Sequence, residues 1–145
     1  MKLASMATLV LLTGITALSS ATDVQGTVYG VWDMTGSPYN VTGDIEVPYG
    51  YTLTIEPGVE VIFQDHYKFE VRGKLSAVGT ELNMITFTSD STAIGWCGIR
   101  FLLPDNSSQM SYCIVEYGNA YSVLDDVDGY GGALLLKFAN TQRVI

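Results

Sequence analysis

TLTIEPGVEVIF, Thr52 to Phe63, alternates apolar and polar residues, breaks at Pro57-Gly58, and alternates again. Alternation with period two places successive side chains on opposite faces of a strand. Leu53, Ile55, Val59, Val61 and Phe63 then share one face, while Thr54, Glu56 and Glu60 share the other. Pro57 fixes φ and Gly58 tolerates a left-handed backbone, so the pair reads as a corner between two strands.

The same signature recurs outward from this stretch. NVTGDIEV, FEVRGKL, MITFTS, GIRF, SYCIVEYG and GALLLKF are short alternating runs, divided by Pro48-Tyr49-Gly50, Asp65-His66, Gly79, Asp90, Pro104-Asp105-Asn106, Gly118-Asn119 and Asp128-Gly129. The inward face extends through Phe69, Val71, Leu75, Ile85, Phe87, Ile99, Phe101, Cys113, Val115, Tyr117, Leu134, Leu136 and Phe138. Glu70, Arg72, Thr86, Arg100, Glu116 and Lys137 alternate with them and are expected in water. No segment after residue 21 carries apolar residues at helical spacing, so the domain is all-β. The runs return at a loose interval of roughly thirty residues with turns of uneven length, which favours a β-solenoid over hairpin-built sandwiches. The insertion AYSVLDDVDGYG, Ala120 to Gly131, stretches one interval.

The start of the chain has another character. Met1-Lys2 precedes an apolar and small run from Leu3 to Leu18, and Ser19-Ser20-Ala21 places small residues where a signal peptidase cuts. A membrane anchor needs about 20 unbroken apolar residues, whereas Thr13, Gly14 and Thr16 interrupt this run. Residues 1–21 read as a signal peptide cleaved after Ala21, residues 22–38 as an N-terminal lead-in or cap, and residues 39–145 as stacked coils. The product is expected to be secreted or on the cell surface, with no membrane insertion after cleavage.

Seven basic residues face fifteen acidic ones, a formal charge of −8, and loss of the leader with Lys2 moves it to −9. That balance opposes nucleic acid, whose phosphates demand a basic footprint, and suits solubility outside the cell. An exported compartment permits disulfides. Whether Cys97 and Cys113 pair stays open, since each lies in an apolar run where a free cysteine behaves as a small hydrophobe. A metal site at either is disfavoured, because the one histidine, His66, lies in a distant turn.

Dense local motifs extend the reading. SPYNVTGDIEVPYGYTLTIEPGVEVIFQDHYKFEVRGKLSAVGTELNMITFTS, Ser37 to Ser89, with GWCGIRF and SYCIVEYG after it, resembles the N-terminal coils of secreted bacterial right-handed parallel β-helix proteins of the pectate-lyase-like kind. The resemblance spans Ser37 to Gly118 and departs from the pattern at Asn83-Met84, where a proline often sits. It implies a right-handed parallel β-helix whose inward residues form a continuous column. Gly73, Gly79, Gly98 and Gly118 would stand where the chain turns tightly or coils approach. With a new inward run begun near KFANTQRVI, the helix is expected to be incomplete at Ile145, with self-association through the open coil end. Family members include lyases and adhesin-type surface proteins, and fold alone does not choose between them.

Each candidate site has an ordinary reading beside it. Asp125, Asp126 and Asp128 before a Gly turn could gather calcium, a hard cation, but lack EF-hand spacing and read better as a solvated acidic loop. Asp65-His66 could do acid–base work. Lys68, Glu70 and Arg72 alongside are an ordinary wet strand face, and His66 an ordinary turn residue. Arg100 is one outward base with no acids placed around it. Tyr49, Tyr51, Tyr67, Tyr121 and Tyr130 could stack on sugar rings, and Asn40 and Asn106 match the glycosylation pattern. No phosphate loop, nucleophile elbow or zinc spacing is present, so no catalytic, cofactor-binding or metal residue is assigned. The leading expectation is a non-catalytic, secreted or surface scaffold, adhesin-like, presenting binding surface to carbohydrate or another cell-surface ligand. The alternative is the N-terminal part of a polysaccharide-active enzyme with lyase- or hydrolase-like chemistry.

Overall fold

The computed structural model describes residues 20–102, 107–119 and 134–137. Within them the chain is all-β. The strands are β1 (Thr22–Thr27), β2 (Gly30–Trp32), β3 (Tyr39–Val47), β4 (Thr52–Ile55), β5 (Glu60–Phe63), β6 (Phe69–Val71), β7 (Lys74–Val78), β8 (Ile85–Ser89), β9 (Ile99–Leu102), β10 (Gln109–Ser111), β11 (Cys113–Val115) and β12 (Leu134–Lys137). Most of the leader, the Asp125, Asp126 and Asp128 loop, Asn106, Tyr121, Tyr130 and Phe138 lie outside the described residues.

Every strand pairing is parallel. One sheet holds four strands in the order β10-β7-β4-β2; the other holds eight, running β11-β8-β5-β3-β6-β9-β12 with β1 also on β3. The larger sheet curls about β3. The first half of that strand pairs with β5 (Tyr39 with Val61), and its second half with β6 (Ile45 with Phe69). β1 lies along both halves and shifts register between Val24 and Gly26 as β3 bends. Three ladders result, and the chain visits them in fixed rotation.

Register aligns the apolar alternation of the sequence into columns. Tyr39, Val61, Phe87 and Val115 are successive partners, as are Ile45, Phe69, Ile99 and Leu134. Leu53 meets Leu75, and Trp32, Ile55 and Ala77 continue the third ladder. All twelve residues expected inward from Leu53 to Phe101 are buried, because a one-residue slip would turn every one of them to solvent. Phe63 stacks on Trp96 at 3.9 Å, with the planes 13° apart. The Trp96 indole N–H donates to the Glu116 carbonyl at 2.8 Å, which satisfies its polar edge inside the core. At the N-terminal end Trp32 stacks on Tyr39 at 4.5 Å, and the Tyr39 hydroxyl accepts from the Asp33 N–H at 3.0 Å.

The corners show why glycine is needed in particular places. A Cβ at Gly73 would collide with the carbonyl oxygens of Pro48 and Tyr51, and one at Gly79 would lie 2.5 Å from the Tyr112 carbonyl oxygen. At Gly58 the backbone is left-handed, φ 85°, as the Pro57-Gly58 corner requires.

The alternation fails in three places. Arg100, expected in water, is 0% exposed, because β9 is covered on both faces. Tyr117 and Leu134, expected inward, are each 46% exposed. Tyr117 has a positive φ of 57°, a corner geometry that breaks period two. Leu134 and the half-covered Cys113 and Val115 belong to the last strands of their ladders, with no further described strand laid over them.

Candidate functional site

The structure joins two residues that the sequence holds far apart. β6 and β9 are neighbours, with Phe69 opposite Ile99, so the turn before each strand occupies the same position in its circuit. His66 in the first turn thereby meets Cys97 in the second. Cys97 Sγ lies 3.1 Å from His66 Nδ1 and 3.4 Å from the His66 carbonyl oxygen. The distance assigned to them from chain position is therefore wrong. Separation along a coiled chain counts for little when both residues precede paired strands. Backbone bonds hold the pair in place: Cys97 N–H donates to the Tyr67 carbonyl at 3.0 Å and Phe69 N–H to Gly98 at 3.3 Å.

His66 Nε2 faces the Asn119 carbonyl oxygen, an acceptor only, so the neutral ring carries its proton on Nε2. Nδ1 is then an acceptor, placed to receive the Cys97 S–H. Burial pushes the Cys97 thiol up from its ordinary value, Arg100 partly opposes this, and Asp44 adds to it. In the tautomer that carries its proton on Nε2, the Cys97 thiol can donate to His66 Nδ1. Chemically the pair can pass one proton between sulfur and nitrogen; structurally it pins one turn to the next. Among the described residues no three His, Cys, Asp or Glu side chains gather as a metal-ligand set. Both cysteines are free, and the Cys113 thiol donates to the carbonyls of Ala77 and Ser111 at 3.3 and 3.4 Å. Burial raises its pKa as well.

The remaining charges make an outward polar face. Arg72 reaches Glu46 at 3.2 Å and Glu70 at 3.3 Å, and Lys68 reaches Asp44 at 4.0 Å. Asp65 accepts from the His66 backbone N–H at 2.7 Å and caps the turn rather than orienting the ring. Glu46, Glu70 and Arg100 are successive partners in one outward row.

A second cluster lies at another corner. Tyr29 and Tyr51 have ring centroids 5.0 Å apart, tilted by 46°, and both are exposed; Tyr49, in the Pro48-Tyr49-Gly50 turn that precedes Tyr51, is 86% exposed. The pair arises from register: β2 and β4 align Gly30 with Leu53, which brings the residues just before the two strands together. The sequence singled out Tyr49 and Tyr51 but not Tyr29, and Tyr67 proves half-buried against the core.

No family model and no solved structure matches the chain. Over 98 residues it is 35% identical to protein bark beetle of Drosophila melanogaster, a match covering 66% of this chain and 3% of that protein. This relative is an animal protein, and it corrects the assignment to a bacterial pectate-lyase-like family. The motifs behind that assignment, TLTIEPGVEVIF among them, state what stacked parallel strands and their corners require. They carry architecture and assign no family.

Proposed function

We propose that this chain is a segment of right-handed parallel β-helix serving as a non-catalytic, exported scaffold, with its outward corners presenting binding surface. The rotation of the chain through three parallel ladders supports the helical reading, and parallel crossovers in one sheet are right-handed in about 98% of cases. The small share that the matched stretch takes of the Drosophila protein suits a module within a long chain. The leader-like start, Met1 to Ala21, suits export to the cell surface or beyond.

The observation that carries the functional reading is the exposed Tyr29–Tyr51 ring pair, with the exposed Tyr49 two residues before Tyr51 in the chain. Adjacent tyrosines with apolar faces and polar tips suit the flat, hydroxyl-rimmed surface of a sugar ring. They bring little side-chain entropy to lose on binding. Carbohydrate is therefore the proposed ligand class. A glycan array followed by calorimetry tests it. Binding is expected at millimolar to micromolar affinity and should weaken at least tenfold in Tyr29→Ala and Tyr51→Ala. No binding across neutral and acidic glycans would remove carbohydrate as the ligand, and turnover of a uronate polymer would remove the scaffold reading.

A further inference from the structure

We infer that Asn40 carries an N-linked glycan, set on the outward face of β3. The inference rests on the export reading above and on no sugar-binding role for the tyrosines. Asn40-Val41-Thr42 supplies the asparagine, the non-proline residue and the hydroxyl residue that an oligosaccharide transferase reads. The likeness to a Drosophila protein is the ground for taking the export route as an animal one, where such a transferase meets the entering chain.

A three-residue pattern recurs by chance, so its place in the fold decides. All three residues lie in β3, which puts Asn40 and Thr42 on one face and Val41 on the other. Val41 and the preceding Tyr39 are buried, while Thr42 is exposed and Asn40 partly so. The opposite register would turn the acceptor into the packed column, where a glycan has no room. The amide already bonds polar neighbours: Asn40 Nδ2 donates to Asp23 Oδ1 at 3.2 Å, and Gln64 Nε2 donates to Asn40 Oδ1 at 3.4 Å. An amide nitrogen carries two hydrogens, and a sugar linkage replaces one of them. The other remains for Asp23, and the oxygen still accepts from Gln64. Asp23, Thr42 and Gln64 are all exposed, so the first sugar meets hydrated groups rather than the core.

In the transfer, Asn40 Nδ2 bonds the anomeric carbon of an N-acetylhexosamine at the head of a lipid-pyrophosphate-linked oligosaccharide. The bond from that carbon to the pyrophosphate oxygen breaks, the lipid pyrophosphate leaves with the electron pair, and Nδ2 gives up one proton. Once folded, Asn40 is held between β1 and β5, with Asp23 and Ile62 as its register partners. Transfer therefore precedes the pairing of β3, and the fold has only to leave the product outside.

The full chain, expressed with its own leader in secreting animal cells, gives the test. An amidase that releases N-linked glycans leaves aspartate in place of the modified asparagine. Peptide mass spectrometry before and after treatment therefore reports the position. Conversion is expected at Asn40, lost in Asn40→Gln and Thr42→Ala and kept in Thr42→Ser, which retains the hydroxyl. Because transfer precedes folding, protein retained inside the cell is read as well, and a variant that misfolds still reports. Asn106-Ser107-Ser108 also matches the pattern, and Asn106→Gln is expected to leave conversion at Asn40 unchanged. An exported chain with Asn40 unmodified overturns the inference, as does a glycan that only Asn106→Gln removes. If the leader does not export, the export reading fails by itself. The full chain is then carried behind a proven animal signal peptide, where a modified Asn40 upholds the inference and an unmodified one overturns it.

Discussion

At Cys97 burial and hydrogen bonding set the state of a single thiol. Its folded pKa is raised above the ordinary 9.0, burial being the main cause. A raised pKa means that the unfolded chain loses its proton first, so the contribution to stability is complete below about pH 9 and is lost as pH climbs through the folded value. Cys113 is raised by burial too, and Tyr39, raised from 10.0 by burial, acts in the same direction higher up. The urea midpoint is therefore expected to fall steadily above pH 9, with Cys97→Ala showing a shallower fall than wild type. A midpoint level to pH 10.5, or an unchanged slope in Cys97→Ala, would refute the assignment. Asp33 has the opposite sign: the Thr35 side chain and backbone lower its pKa, and that contribution goes as pH drops through the folded value. The burial of Cys97 was legible in GWCGIRF. Its meeting with His66 was not, because local alternation says which face a residue takes and nothing about which turn lies above it.

Among the elements, β4 and β5 with the Pro57-Gly58 corner were read from twelve residues, because each step of that reading was local. Leu53, Ile55, Val59, Val61 and Phe63 are all closed to solvent, and Glu56 and Glu60 are exposed. β9 went differently. Arg100 alternates correctly with Ile99 and Phe101, yet its outer face is covered, and no period-two rule foresees a cover supplied from elsewhere in the chain. Energetics follow the same division. Phe63 is fully buried and stacked on Trp96, so Phe63→Ala should cost about 3–5 kcal/mol, lost transfer energy plus an unfilled cavity. Thr54→Ala, on the outer face of β4, should stay within about 0.5 kcal/mol. Urea denaturation of the two variants measures both. If they cost the same, the column centred on Phe63 is not what holds these strands in register.

The whole molecule carries fifteen acidic residues against seven basic, and Lys68 and Arg72 form ion pairs with Asp44, Glu46 and Glu70. Those pairs are partly exposed, each worth at most about 1 kcal/mol, and salt weakens them. Salt also weakens the mutual repulsion of the acidic excess, which acts over the whole surface and opposes the compact state. Going from about 0.01 M to 0.15 M salt shortens the screening length from roughly 30 Å to 8 Å. With partly exposed pairs worth little each and a net −8 to screen, repulsion is the larger effect, and the melting temperature at pH 7 is expected to rise with salt. Near pH 4.3, where the net charge vanishes, the rise should disappear. A melting temperature that falls with salt at pH 7 would mean that the pairs along β3 and β6 outweigh the repulsion. The outward rows of Glu46, Glu70 and Arg72 would then be a stabilising network rather than a wet face.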